Sequence, residues 1–325
     1  MIKHVRWLAV MVLGCAGGLV PSTVVANPSS GQMAPWLFLP WDDSVGRIRG
    51  NEADSEGPKS FAVKPDGGVL ILDQVNLRVI DLDADAELLG YIPLPAATFD
   101  DVEQVDGQAV LVLDRLAARA LLVLDLAGTP TAEVLLEGRG IDRAGLVTAM
   151  LPRSDGVWLE VSHRHSVKVL DRNLQPCTRQ IVLGRPVERG RSLHAAKDGQ
   201  GGVTLRRTLR NQRSTPQAAA PGVTLTGGAP IRRIVGLDED ADGAVYAVLH
   251  EAVFAPTTPF RVEREHYHMV VLDAHLQELA RLESPWVLTR YDQRVEVRVG
   301  PDRRLWQMAF IDDGVVLLRW DWRAP

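Results

Sequence analysis

Two cysteines in 325 residues are too few for a disulfide scaffold, and aromatic side chains make up only 6% of the chain. Charge of one sign is scarce as well. The 36 Lys and Arg stand against 41 Asp and Glu, and a formal net charge of −5 argues against general nucleic-acid binding. Beyond residue 26 no segment is long and apolar enough to read as a membrane span. The G-x-S-x-G nucleophile elbow, the phosphate-cradling glycine loop and H-E-x-x-H are all missing. No stretch sustains a helical period. What is present is a chain 46% apolar, with 28 Gly and 20 Pro, too apolar for disorder and rich in turn formers.

Residues 1–26 read as an address. Lys3, His4 and Arg6 precede an apolar run from Trp7 to Val20, and Val24-Val25-Ala26 supplies a small-residue cleavage site. That order is a secretory signal peptide, which predicts an exported protein, periplasmic or extracellular, with residues 27–325 as its single domain. Val12-Leu13-Gly14-Cys15 resembles a lipobox, so lipidation at Cys15 stands as the lesser alternative. With the leader removed only Cys177 remains. It follows a Gln175-Pro176 turn without a catalytic cysteine motif around it, which predicts a packed small hydrophobe.

A repeat of 40–60 residues sets the fold. Asp-Gly turns recur at Asp66-Gly67, Asp106-Gly107, Asp155-Gly156, Asp198-Gly199 and Asp242-Gly243, with Asp302-Arg303 as a degenerate sixth copy. Each precedes a β-rich segment such as GVLILD or AVLVLD. A second marker, Leu-Asp, ends a later segment at Asp83, Asp125, Asp171 and Asp273, with one copy missing between the last two. Four strands in each repeat make a propeller blade, so the expectation is an all-β, six-bladed propeller. The last repeat stops after its third strand, whereas a strand-like segment at 34–41 precedes the first. This predicts that residues 34–41 complete the last blade and close the ring.

Residues 57–83 carry Asp73, Asn76 and Arg78-Val79 after the Asp-Gly turn, a pattern that resembles the NHL repeat. The resemblance is specific in the first blade and loose elsewhere. It implies a six-bladed propeller of the exported bacterial type but not an activity, since such propellers include binding scaffolds, lyases and lactonases. The pairs Trp41-Asp42 and Trp320-Asp321 do not follow the blade period and are not WD40 signatures.

Several groups are candidate sites, each with a plainer reading. Asp73, Asn76 and Arg78 would either meet a ligand or tie a loop. Asp238, Asp240 and Asp242, in D-x-D-x-D-G, would either open a calcium loop or form a blade turn; Leu249 stands where an EF-hand has its twelfth-position Glu. His163 with His165, and His266 with His268, are His-x-His pairs whose members share a face on a strand and would offer two imidazoles to one divalent metal. Glu160, His163, His194, His250 and Glu251 would be the ligands of a metal enzyme at the central mouth.

Two stretches exceed what a blade needs. One runs from Arg206 to Gly222 with Arg206, Arg207, Arg210 and Arg213; the other runs from Glu251 to Glu265 with Phe260, Arg261 and Arg264. Both are expected on one face as a rim over the mouth. Residues 42–106 carry 15 acids and 5 bases, whereas 153–213 carry 13 bases and 5 acids. The basic sector suggests an anionic ligand, glycan or protein partner. The first functional reading is therefore an exported, monomeric, non-catalytic binding propeller. The second is a metal-dependent hydrolase or lyase of lactonase type.

Overall fold

The computed structural model describes residues 33–41, 45–46, 57–210, 222–256, 261–285 and 295–323. The leader at 1–26, Cys15, Asp42, Arg213 and Phe260 lie outside the described residues. No described helix is long and apolar enough to cross a membrane.

The described strands form six four-stranded antiparallel sheets. The closing strand is β1 (Ala34–Pro40). Blade one holds β2 (Ser60–Val63), β3 (Val69–Asp73), β4 (Arg78–Leu82) and β5 (Leu88–Pro93). Blade two holds β6 (Asp101–Val105), β7 (Ala109–Asp114), β8 (Ala120–Asp125) and β9 (Pro130–Leu135). Blade three holds β10 (Val147–Arg153), β11 (Gly156–Val161), β12 (His165–Asp171) and β13 (Pro176–Leu183). Blade four holds β14 (Arg185–Val187), β15 (Arg191–Lys197), β16 (Val203–Leu209) and β17 (Gly222–Leu225). Blade five holds β18 (Ile231–Glu239), β19 (Val245–Phe254), β20 (Val262–Leu272) and β21 (Glu278–Ser284). Blade six holds β22 (Val297–Val299), β23 (Leu305–Ile311) and β24 (Gly314–Trp320), and β1 is its fourth strand. The first strands β2, β6, β10, β14, β18 and β22 each touch the next, and β22 returns to β2. The ring is closed.

Turn chemistry explains the hairpins within the blades. Asp106 and Gly107 both take positive φ (51° and 66°), as a primed hairpin turn requires. The Leu-Asp markers are a second recurring turn. In each copy one carboxylate oxygen accepts the backbone N–H groups two and four residues on: Asp83, Asp125, Asp171 and Asp273 all do so, at 2.7–3.0 Å. These are side-chain mimics of a backbone turn.

Blade four departs from the sequence-based register. Its first turn is Glu188-Arg189-Gly190, between β14 and β15, and Asp198-Gly199 joins its second and third strands. Asp198 accepts N–H groups two and four residues on, like the Leu-Asp turns. The segment GVTLRR is therefore a third strand, and Arg206 and Arg207 lie on it rather than in a loop. The connection after Arg210 consequently leaves from the face that carries the Asp155 and Asp242 turns, whereas the 255–261 connection leaves from the opposite face. The two long connections do not form one rim. Blade four also lacks a Leu-Asp turn because the connection after Arg210 stands in its place.

Apolar clusters fill five of the six seams. Phe61, Ile71, Trp306 and Phe310 join blades six and one; Leu72, Ile92 and Val102 join one and two; Leu113, Met150 and Leu159 join two and three. Leu205, Leu237 and Leu249 join four and five, and Tyr246, Tyr267, Leu305 and Trp320 join five and six. Among the described residues no such cluster spans blades three and four.

Closure rests on β1. It pairs with β24 from Ala34–Arg319 to Pro40–Gly314, and Trp36 meets Trp306 edge to face at 4.9 Å. A side chain at position 314 would lie 2.1 Å from the Leu39 carbonyl oxygen, so only glycine lets the strands approach. Trp36→Ala is expected to lower stability by about 3–5 kcal/mol, the range for emptying a large aromatic site. Deleting residues 27–41 is expected to abolish the cooperative melt followed by circular dichroism. An unchanged melt after that deletion would refute closure by β1.

Candidate functional site

The six first strands stand around the axis, each touching the next. Three arginines on these strands, Arg185 buried and Arg153 and Arg298 half-buried, clamp the blades together there. Arg298, on β22, donates to Asp101 Oδ1 at 2.6 Å and the Phe61 carbonyl at 3.0 Å, and pairs with Glu103 at 2.5 Å, joining blades six, one and two. Arg153, on β10, donates to the Pro186 carbonyl at 2.8 Å and to Asp238 at 2.7 Å, joining blades three, four and five. Arg185, on β14, makes a two-pronged pair with Glu160 at 2.5 and 2.9 Å and donates to the Leu237 carbonyl. Such fork-on-carboxylate pairs need arginine and are charge-assisted. Against the cost of burial, Arg185 holds the Glu160 carboxyl well below the usual carboxylate range, and a contact with His163 at 2.9 Å adds to it.

Between these clamps lies a pocket of about 440 Å³, at the end formed by the turns between first and second strands. Its charged lining includes Glu103, Arg153, Glu188, Asp238, Arg298 and Arg303. A smaller cavity of about 80 Å³ shares Asp238 and Arg298 with it and reaches Arg185. Burial pushes the Glu103 carboxyl up to about 7, with Asp101 and Asp238 adding to the rise and Arg298 opposing it. A carboxyl that titrates near neutrality beside a cavity is the site's most unusual group.

Glu103 was not among the sequence candidates, nor were Arg153, Arg185 and Arg298. The available signal was Asp101-Val102-Glu103, two acids at a spacing of two at the start of a blade, where one strand face is aimed at the axis.

The sequence candidates fall in other places. Arg207 pairs with Glu239 at 2.8 Å and donates to the Gly243 and Ala274 carbonyls, clamping blade four to blade five. Arg210 pairs with Asp155 at 3.0 Å and stacks over Trp158, clamping four to three. Arg206 lies opposite His194 on β15, whose imidazole is pushed down by burial and by that guanidinium. Arg261 and Arg264 are exposed. Asp73 accepts from Asn76 at 2.9 Å, Arg78 at 2.8 Å and the Gly46 N–H at 3.0 Å, so the NHL-like trio ties a loop.

In the 238–243 run, Asp238 holds Arg153, Asp242 holds Arg303, and Asp240 accepts two backbone N–H groups and the Tyr246 hydroxyl. The arrangement is a satisfied blade turn. Cys177 is half-buried on β13 and its thiol is pushed up by that burial.

Glu160, His163, His194, His250 and Glu251 do not meet at the axis. His194 bonds the Thr208 hydroxyl, His250 lies 3.2 Å from Glu265, and His165 bonds the Gly140 carbonyl. Glu251, His266 and His268 do converge, at the seam of blades four and five.

No family model matches the chain, and no curated protein matches it. Solved structures resemble it in fold. A DUF4221 family member from Bacteroides vulgatus aligns over 90% of this chain and 98% of its own at 9% identity, with a TM-score of 0.49. The Swd1 β-propeller domain of Myceliophteria thermophila covers 92% of this chain and 98% of its own at 13% identity and a TM-score of 0.47. A streptogramin B lyase covers 84% of this chain and 96% of its own at 10% identity and a TM-score of 0.43.

The axial charges make two measurable demands. Arg298→Met leaves Asp101 and Glu103 buried against each other and is expected to cost about 3–5 kcal/mol in a denaturant titration. Glu103 is raised from 4.5 to about 7, so its protonated form is the one that the fold favours. Its contribution to stability is therefore complete below about pH 4.5 and is lost as pH rises toward 7. Subtracting the melting curves of Glu103→Gln from those of the wild type across this window should show that slope.

Proposed function

We propose that this chain is an exported binding propeller that takes a small polar molecule carrying both a cation and an anion in its axial pocket. One observation carries the reading: the 440 Å³ pocket presents guanidinium groups and carboxyls together, with Glu103, Arg153, Asp238 and Arg298 on first strands and Glu188 and Arg303 on the adjoining turns. Arg153 and Arg298 are oriented by their clamps, so a ligand anion would meet donors already in place. Glu103 and Glu188 offer the complementary acceptors to a ligand cation. The leader-like first 26 residues support export. The charge sector first read as a docking surface supports this interior site less directly, since Arg207 and Arg210 already hold Glu239 and Asp155.

A second reading follows from Glu103 itself. A carboxyl at about 7 suits general acid–base chemistry, so an enzyme acting on the pocket's ligand would use Glu103 to move the proton.

Calorimetric titration of the purified chain with a panel of amino acids, short peptides and amino sugars tests both. Saturable binding is expected to strengthen as pH rises through about 7, because ionised Glu103 holds the ligand cation. Binding should be lost in Arg153→Met and should lose its pH dependence in Glu103→Gln. Equal affinity in the wild type and both variants would place the ligand elsewhere. Turnover of a bound ligand that vanishes in Glu103→Gln would favour the second reading.

A further inference from the structure

Strands β19 and β20 run past the apolar core of blade five, and at their far end the seam with blade four turns polar. Glu251 is fully buried there, directly across the ladder from His266. His268 is two residues on and therefore on the same face. His268 Nδ1 lies 2.6 Å from Glu251 Oε1, and His266 Nε2 lies 3.2 Å from Oε2. Ligand atoms of all three residues fall within 4.8 Å of one another. His266 is 9% exposed, yet its Nε2 is buried without a hydrogen bond. That is a costly state for an imidazole nitrogen aimed at a carboxylate, and it is the state that a metal ion would relieve.

We propose that Glu251, His266 and His268 form a divalent metal site selective for zinc-like ions, separate from the axial pocket and independent of the function assigned to it. Two imidazoles and a carboxylate are a zinc donor set. Glu283, on the neighbouring strand β21, has a carboxylate oxygen 3.9 Å from His266 Nε2 and a side chain 66% exposed, so it is free to swing in as the fourth ligand. At metal–ligand distances of about 2.0–2.2 Å a tetrahedral ion sets its donor atoms about 3.4 Å apart, so the 2.6 Å His268–Glu251 contact would open somewhat while any donors nearer the 4.8 Å limit close up, adjustments that side-chain rotation supplies.

The surroundings already orient the donors. The Ala229 N–H donates to Glu251 Oε2 at 3.1 Å, and Gly227 has no side chain because a Cβ there would sit 1.4 Å from Glu251 Oε1. The β17–β18 connection is thus pressed onto the carboxylate, and an ion at Glu251 would staple that connection to blade five. Arg281 bonds His268 Nε2, which leaves the proton on Nδ1, facing Glu251. Zinc at Nδ1 would displace that proton to Nε2 and release Arg281 to Glu278, which it also holds, at 2.8 and 2.5 Å.

The test uses the full chain, free of any histidine tag, with Zn²⁺ in calorimetry and Co²⁺ in visible absorption. One ion per chain is expected, with the absorption bands of four-coordinate cobalt and a melting temperature that rises on loading and falls with chelator. His266→Ala and His268→Ala, checked for folding by circular dichroism, should each lose the stoichiometric site, and Glu283→Gln should weaken it. Glu103→Gln, which alters only the axis, should bind as the wild type does. The proposal is overturned if the wild-type chain shows neither saturable zinc binding nor cobalt bands. It is equally overturned if binding persists unchanged in His266→Ala and His268→Ala.

Discussion

A four-stranded blade has two apolar faces and no core of its own. Each sheet here is stable only because a neighbour covers each face, so the free energy of folding resides in the seams, and no seam is complete until the ring closes. The pairing of β1 with β24 therefore does more than add one strand. It places Trp36 and Leu37 on Trp306 and Phe61, at the seam where the ends of the chain meet. Pairing with β1 also covers the edge of β24, an exposed ladder that would otherwise template aggregation.

The seams are not equivalent. Five are filled by buried aliphatic and aromatic side chains, but blades three and four meet through charge. Glu160 takes both prongs of Arg185, Ser166 donates to the Gly184 carbonyl, and Trp158 lies under Arg210 and Lys168. A buried ion pair is weak as a source of stability but strict in geometry, because displacing either partner strands the other charge. This seam thus fixes the orientation of blade four, whose first and last strands are short. It also explains the uneven distribution of charge along the chain. Several bases of residues 153–213 are matched by blade five: Arg153 with Asp238, Arg191 and Arg207 with Glu239, and Arg189 with the Ala241 carbonyl. A basic stretch in sequence has become a lattice of seam contacts.

The fold was legible because turn chemistry is local. Positive φ at Asp106-Gly107 and the Asp83-type turns are decided within five residues, so their period survives into the architecture. Blade four shows where this logic fails. Asp198 makes the same local turn as its counterparts, but nothing local says which two strands a turn joins. Glu188-Arg189-Gly190 serves as the first hairpin turn of that blade without the Asp-Gly signature, and both Arg189 and Gly190 take positive φ there. The whole blade was displaced by one strand in the sequence reading, and with it the arginine stretch moved to the opposite face.

The site was less legible because it is made of register, not motif. His163-x-His165 and His266-x-His268 look alike in sequence, yet only the second pair shares a strand face. His163 sits in a turn at a φ of 55°, which aims its imidazole at Glu160 and away from His165. His266 and His268 lie within β20, so period two holds for them, and the ladder sets Glu251 opposite. Fifteen residues separate Glu251 from His266, a distance set by the length of the connecting loop. That length alone decides whether a carboxylate or an aliphatic side chain faces the imidazoles. One residue more or less in the loop would move Ala252 or His250 into register and leave two histidines with no anion between them. The same argument applies at the axis, where Asp101 and Glu103 acquire meaning only when the ring brings Arg298 around from the other end of the chain.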